Sequence, residues 1–236
     1  GTYEDCKDAG IIIITAGPSI RPGETPDRLR LAGTNAKIMR SVMGEIVKYT
    51  KDAMIIMITN PLDVATYCVS TEFDYPREKI LGTGTLLETF RFRRILANKY
   101  CVDPKNIHGY VLGEHGNSAF PAWSTVDIAG LGLDNLDEYF HHTEKLSRKA
   151  VEDEIVQVAY DVINKKGFTN TGIAMAACRF VKSVLYDGHT ILPCSAVLEG
   201  EYGIRDVALS IPRMICASGI VRSFEIYLTD HELDQL

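Results

Sequence analysis

Two unbroken runs of apolar residues limit the folds open to this chain more than any other feature. They are GIIIIT at 10–15 and AMIIMIT at 53–59. Runs of this length are typical of strands that are buried on both faces, as in a parallel sheet covered by helices. Residues 31–48 lie between the two runs and repeat apolar side chains at helical spacing. The segment therefore predicts a strand, a helix and a second strand of one parallel sheet.

The rest of the chain mixes helices and strands. A short helix containing Val64 and Tyr67 leads to a predicted strand at 79–82. The later predicted helices are 84–99, 136–165 and 171–185, and the later predicted strands are 107–112, 189–198 and 207–211. We therefore expect an α/β fold, in which the second half of a doubly wound parallel sheet is followed by an α+β domain.

Composition excludes several classes of function. The 236 residues are 46% hydrophobic and carry a net charge of −6, which fits a globular protein and argues against nucleic-acid binding. No apolar run approaches the ~20 residues that a membrane helix needs, so no membrane contact is expected. Six cysteines are scattered without a CxxC pair. They predict no metal site, no disulfide framework and a cytoplasmic location.

His115 is the first candidate for chemistry. It lies in the sequence GEHGN, directly after the predicted strand at 107–112. Its ordinary pKa of ~6.5 suits reversible proton transfer, and flanking glycines let the backbone bend around a ligand. A lone histidine is more often structural, so this residue alone leaves both readings open.

Arg91 and Glu88 are three residues apart and share one face of a predicted helix. One reading is a solvated ion pair on the surface. The other is a guanidinium that grips a substrate carboxylate by two hydrogen bonds, beside a carboxylate that orients a histidine.

The loop GPSIRPGETPDR at 17–28 is a candidate lid. Its prolines and glycines predict an irregular segment after a buried strand, and it could carry Arg28 onto a substrate and expel water. The alternative is a plain surface connection. Asn60 and Pro61 end the second strand, where ligands bind in open α/β sheets.

Seven segments together resemble the L-lactate and malate dehydrogenase family. They are ITAG at 14–17, PGET with a following arginine at 22–28, TNP at 59–61, GTGT at 82–85, the helix that carries Arg91, GEHGNS at 113–118 and KKGFTNTGIAMA at 165–176. Each motif is weak alone, but all seven keep the order of the family. The resemblance implies an enzyme that moves a hydride between NAD and a small 2-hydroxy or 2-oxo acid.

The resemblance also implies a division of the chain. Residues 1–82 would be the C-terminal part of the NAD-binding Rossmann domain, and residues 83–236 would be the catalytic domain. The helix at 171–185 would pack back on the NAD domain.

Catalytic and substrate-binding roles follow from the same resemblance. His115 would donate and accept the proton, Arg28 would polarise the ketone, and Glu88 would replace the aspartate that usually pairs with the histidine. The residues implied to contact the substrate are Arg91, Asn60, Thr169 and Ile20.

The residues implied to contact the cofactor are Gly17, Asn35, Asn60, Thr83 and Ile173. The glycine fingerprint GxGxxG that binds the pyrophosphate is absent from this sequence. The resemblance therefore implies that the first three strands of a six-stranded sheet lie before Gly1, and that the final helix continues past the end of the chain.

Ile20 bears on the substrate. It stands where lactate enzymes carry glutamine and malate enzymes carry arginine, in a lid with two extra residues. This argues against malate and leaves lactate and bulkier acids, such as 2-hydroxyisocaproate, open. Malate dehydrogenase stays the alternative enzyme, because Arg21 is the next residue and a shift of one position in the lid would place it there. A non-catalytic truncated protein on the same fold is the alternative from another class.

Arg93 and His108 match a pair that binds fructose 1,6-bisphosphate between subunits of allosteric bacterial lactate dehydrogenases. The resemblance thus implies a homo-oligomer, either a dimer or a tetramer, with a possible phosphate site. The alternative is that Arg93 is one of several surface arginines and that His108 is an ordinary strand-edge residue.

Overall fold

The computed structural model describes residues 1–18 and 31–236 in full and only the backbone at 28–30. The predicted lid therefore lies outside the described residues, as do Ile20 and the side chain of Arg28. The roles predicted for these two side chains remain expectations from sequence.

The first half of the chain alternates strands and helices. The strands are β1 (Ile11–Ile14), β2 (Met54–Met57) and β3 (Ile80–Gly82), and the helices are α1 (Arg28–Ile46) and α2 (Leu62–Glu72). The three strands pair in parallel and in chain order. The parallel sheet expected from the two apolar runs is confirmed.

Burial differs between the two apolar runs. Every residue of β2 is buried, and Ile55 and Ile56 are fully so. In β1, by contrast, Ile13 is 44% exposed. The prediction that both strands are buried on both faces is therefore not met by β1 within the described residues. Among these residues β1 is the outermost strand of the sheet and pairs with β2 alone.

The second half of the chain contains five α-helices and six strands within the described residues. The helices are α3 (Leu86–Tyr100), α4 (Leu133–Tyr139), α5 (Arg148–Lys166) and α6 (Thr171–Leu185), and a short α7 (Asp230–Gln235) follows the last strand. The strands are β4 (Ile107–Leu112), β5 (Phe120–Ile128), β6 (Leu131–Gly132), β7 (Thr190–Glu199), β8 (Arg205–Cys216) and β9 (Gly219–Ser223). No described helix is long and apolar enough to cross a membrane.

The strands of this half form two separate groups. Strands β4, β5 and β6 make a small antiparallel sheet. Strands β7, β8 and β9 are also antiparallel, but they extend the first sheet to the order β1-β2-β3-β7-β8-β9. The connection is a single pair, Gly82 opposite Ser195. One sheet thus runs from the first half of the chain into the second.

The single long helix predicted at 136–165 is wrong, because the chain forms α4 and α5 with a break between them. Within the break His141 has a φ of +55°, which a helix does not allow. The Asp137 carboxylate accepts the N–H of Leu146 at 2.8 Å, and Ser147 caps α5 by accepting the N–H of Ala150. Sequence reasoning also missed β5, β6 and β9.

Helix α6 occupies the bounds expected from sequence and covers the first sheet. Its side chains Ala176, Phe180 and Val184 are buried in one cluster with Met54 and Ile56 of β2. The helix is therefore anchored by apolar burial on the parallel strands.

Candidate active site

The carboxyl ends of the three parallel strands lie at one edge of the sheet and bring several polar groups together. Asn35 of α1 is 1% exposed, and its Nδ2 donates to the backbone oxygens of Pro18 at 3.1 Å and Asn60 at 2.5 Å. Among the described residues its Oδ1 has no hydrogen-bond partner. A buried amide oxygen without a partner is unfavourable, so a ligand that donates a hydrogen bond to this atom would be stabilised.

Gly17 allows the backbone to turn close to Asn35. Its φ is +133°, and a Cβ placed there would lie 2.5 Å from Asn35 Oδ1. Any other residue would be strained and would cover the unpaired oxygen.

Two further residues predicted to contact the cofactor are Thr83, which follows β3, and Ile173 of α6. Thr83 follows β3 directly, is 1% exposed and donates its N–H to Met57 at 3.0 Å. Ile173 of α6 is half-buried against the cluster that contains Leu86. Thr169, by contrast, is exposed in the segment that joins α5 to α6.

The central group of the site is His115 with Glu88 and Arg91. Nδ1 of His115 lies 3.5 Å from Oε2 of Glu88, and Nη1 of Arg91 lies 3.7 Å from Oε1 of the same carboxylate. All three side chains are largely buried. Neither His115 Nδ1 nor Glu88 Oε2 makes a hydrogen bond with a described residue, so the two groups are in contact at ion-pair distance. Glutamate, although one methylene longer than the usual aspartate, therefore reaches the imidazole.

Burial and charge act in opposite directions on this pair. Burial acts to lower the pKa of His115, but the negative charge of Glu88 and its contact with the ring outweigh burial and raise the pKa. Burial acts to raise the pKa of Glu88, and the charge of His115 lowers it overall. The pair thus favours an imidazolium beside a carboxylate, a group that can hold a proton until it is needed.

The three side chains open into a cleft of about 510 Å³. Its opposite wall comes from α5 and includes Lys149, Tyr160 and Ile163. The described residues that line it include none of the sheet-edge group, and Thr169 does not line it either. The structure therefore brings His115, Glu88 and Arg91 together and leaves the predicted cofactor residues at the edge of the sheet.

Sequence reasoning missed Asp63 and Ser195, which hold the backbone of the loop that carries His115. Oδ2 of Asp63 accepts the backbone N–H of His115 at 2.7 Å, and its Oδ1 accepts the hydroxyl of Ser195 at 2.5 Å. Asp63 lies in the first turn of α2, where an acidic residue is common for helix stability alone. No sequence signal separates it from that ordinary role.

Arg93 lies on α3 and His108 on β4, two elements that pack against each other. Nε of Arg93 donates to the carbonyl of Gly109 at 3.0 Å, and its guanidinium lies over the ring of Tyr110. His108 is exposed, and its Nδ1 is 2.9 Å from Asp127. Burial lowers the pKa of Arg93, and the charge of nearby Arg179 adds to this effect.

One group of described residues could in principle ligate a metal ion: Asp187, His189 and Cys216, with candidate ligand atoms within 4.8 Å of one another. These atoms are already bonded within their turn. Asp187 Oδ1 accepts the N–H of Ala217 at 3.0 Å, and His189 Nδ1 lies 2.9 Å from the backbone oxygen of Asp187. We assign no metal to this group.

Comparison with known proteins places this geometry in a family. A sequence profile described as lactate/malate dehydrogenase, NAD binding domain, matches residues 1–82, and one described as lactate/malate dehydrogenase, alpha/beta C-terminal domain, matches residues 85–236. The chain belongs to the lactate/malate dehydrogenase family.

Individual relatives agree with the profiles. The chain is 82% identical over 236 residues to an L-lactate dehydrogenase of Selenomonas ruminantium and 52% identical to L-lactate dehydrogenase 2 of Clostridium acetobutylicum. It covers 74% of the length of each. The crystal structure of the minor L-lactate dehydrogenase from Enterococcus mundtii in its ligand-bound form matches all of the chain with a TM-score of 0.92 at 37% identity, over 74% of that protein.

Proposed function

We propose that the protein is an NAD-dependent L-lactate dehydrogenase that interconverts L-lactate and pyruvate in the cytoplasm. The observation that carries the proposal is the buried pair of Glu88 and His115 beside Arg91 in one cleft. The similar proteins named as L-lactate dehydrogenases support the substrate and do not favour malate. The six cysteines, none of them in a disulfide, support a reducing compartment.

The residues at the sheet edge fit the nicotinamide end of NAD. The unpaired Asn35 Oδ1 can accept a hydrogen bond from the cofactor, and Gly17 leaves space for its approach. Asn60, Thr83 and Ile173 would complete this half of the site. We propose that residues 1–82 form the C-terminal part of the NAD-binding domain and residues 83–236 the catalytic domain, with α6 packed on the former.

Four groups would carry out the proposed reaction: the nicotinamide, Arg91, His115 and Glu88. The hydride comes from the nicotinamide when the cofactor is bound. Arg91 binds the substrate carboxylate through its guanidinium, which fixes the carbonyl carbon in position. His115 gives its proton to the carbonyl oxygen through the ring nitrogen that does not face Glu88, and takes it back in the reverse direction. Glu88 holds the ring in place and stabilises its charged form.

The other roles predicted from sequence complete this proposal. Arg28 would stabilise the charge that develops on the carbonyl oxygen, Asn60 would hydrogen-bond the same oxygen, and Thr169 would line the pocket. Ile20 would contact the side chain of the substrate.

We further propose that Arg93 and His108 bind fructose 1,6-bisphosphate in a homo-oligomer, as a dimer or a tetramer. Among the described residues no acidic oxygen lies within 4 Å of the Arg93 guanidinium, and the charge of Arg179 helps to lower its pKa. Two arginines close together favour a phosphate group between them, and His108, which faces Asp127, would complete this site.

The test is NADH oxidation by the full-length protein with pyruvate, oxaloacetate and 2-oxoisocaproate, each with and without fructose 1,6-bisphosphate. We expect the highest kcat/KM with pyruvate, increased by the sugar phosphate. A preference for 2-oxoisocaproate would reassign the substrate to bulkier acids, and a preference for oxaloacetate would overturn the lactate assignment.

The proposed regulation by fructose 1,6-bisphosphate is tested by a pair of matched variants. Arg93→Gln should abolish the response to fructose 1,6-bisphosphate, whereas Arg94→Gln, which changes an exposed arginine bonded to Asn98 on the same helix, should retain it. Analytical ultracentrifugation with and without the sugar phosphate gives the oligomer number. An unchanged response to fructose 1,6-bisphosphate in Arg93→Gln would contradict a phosphate site at Arg93 and His108.

A further inference from the structure

Asp63 is a buried carboxylate with no lysine or arginine beside it among the described residues. It is 9% exposed, and no described lysine or arginine nitrogen lies within 4 Å of it. Two hydrogen-bond donors hold its oxygens instead, the N–H of His115 and the hydroxyl of Ser195. Burial raises the pKa of Asp63, while these two bonds and the charge of His115 act in the opposite direction, so the arrangement stabilises the carboxylate next to the His115 backbone.

Ser195, which bonds to Asp63, is held in place by the six-stranded sheet. It is fully buried in β7, where it stands opposite Gly82 of β3 and Ser210 of β8. Little space remains around it, because a Cβ on Gly82 would lie 3.1 Å from Ser195 Cβ. Dense packing on both sides prevents the serine from moving away from Asp63.

Ser210 holds Gly113, at the start of the loop that carries His115. Its backbone exchanges two hydrogen bonds with Gly113, at 3.0 and 2.9 Å. Its hydroxyl accepts the N–H of Thr85 at 3.2 Å, at the start of the helix that carries Glu88 and Arg91. Ser210 therefore contacts both elements that carry the three central groups of the site, and Ser195 beside it bonds to Asp63.

We infer that Asp63, held by Ser195, is a positioning residue that sets the location of His115 during proton transfer. The inference rests on the proposed function, since it assigns His115 to that step. The loop is fixed at two points, at Gly113 by Ser210 and at His115 by Asp63. Loss of the second point frees the imidazole to leave its place beside Glu88. A displacement of about 1 Å at a reacting group can lower a rate by about 10²-fold.

The experiment compares Asp63→Ala with Asp63→Asn in the full-length enzyme. Alanine removes the acceptor for the His115 N–H. Asparagine can still accept that N–H through its amide oxygen, and its amide nitrogen can donate to Ser195, whose hydroxyl can turn to accept. We expect Asp63→Ala to lower kcat for pyruvate by about 10²-fold with little change in KM, and Asp63→Asn to recover most of that loss.

A matched control is Glu72→Gln, which neutralises another carboxylate of α2 that bonds to Arg40 on the surface. It should keep the wild-type kcat. Rates are normalised to the fraction of enzyme that binds NADH, measured by fluorescence titration, so that misfolding does not imitate a loss of positioning.

Two results would overturn the inference: an undiminished normalised kcat in Asp63→Ala, or an equal loss in Asp63→Ala and Asp63→Asn. These results differ from failure of the proposed function, in which the wild-type enzyme binds NADH but does not reduce pyruvate.

Discussion

At the scale of single residues, burial and charge have opposite effects on the pKa of His115. Burial alone would keep His115 neutral, yet the Glu88 carboxylate at 3.5 Å raises the pKa of the imidazole. A histidine that must donate a proton to a carbonyl oxygen has to be protonated near neutral pH. In the proposed reaction Glu88 would therefore act through the protonation state of His115 as well as through its orientation.

Glu88→Gln should lower the pKa of His115, because it removes the negative charge that favours the imidazolium. Pyruvate reduction needs protonated His115, so its rate falls as pH rises through that pKa. We expect this fall to begin at lower pH in Glu88→Gln than in the wild type, as measured by kcat/KM from pH 5 to 9.

The matched control for that profile is Glu114→Gln, which changes the exposed carboxylate that bonds to Ser118. Its profile should match the wild type. An unshifted profile in Glu88→Gln would show that the carboxylate has no electrostatic effect on His115.

At the scale of elements, the site depends on a close approach between the β3–α3 turn and the β7–β8 pair. Gly84 begins this turn with a φ of +52°. A Cβ there would lie 2.3 Å from Ser210 Oγ and 2.7 Å from the backbone nitrogen of Ser195. The glycine thus lets strands of both halves meet below the site.

Gly84→Ala should therefore destabilise the protein by roughly 1–3 kcal/mol, through backbone strain and overpacking. Urea denaturation of the full-length protein measures the change. Gly132→Ala is the control, because no atom lies within 4 Å of its added Cβ and its φ is −66°. If both variants lost equal stability, the close approach at Gly84 would have no energetic importance.

Elements with strong local signals were predictable from sequence. The apolar run of β2 and the helical periodicity of α6 each specify one structure over a sufficient length. The break between α4 and α5 was not predictable, because it depends on the Asp137 bond to Leu146 rather than on a proline or glycine. For the site, GEHGN identified His115, but the partner that holds its backbone lies in another helix and has no local pattern.

At the scale of the whole molecule, one continuous sheet joins the two halves of the chain. The connection is the single pair of Gly82 and Ser195, which are far apart in sequence, so no periodicity could reveal it. It explains why the site is built from both halves: His115 lies directly after β4, while its backbone support comes from α2 and β7. The two profile matches divide the sequence near this same connection.

The most direct test of the account is the kcat for pyruvate reduction by full-length His115→Asn beside His189→Asn, an exposed histidine remote in sequence from the site. General acid catalysis contributes about 10²–10⁴-fold, so we expect His115→Asn to lose that factor while it still binds NADH. His189→Asn should match the wild type. Undiminished turnover in His115→Asn would contradict the assignment of the Glu88, Arg91 and His115 cleft as the active site.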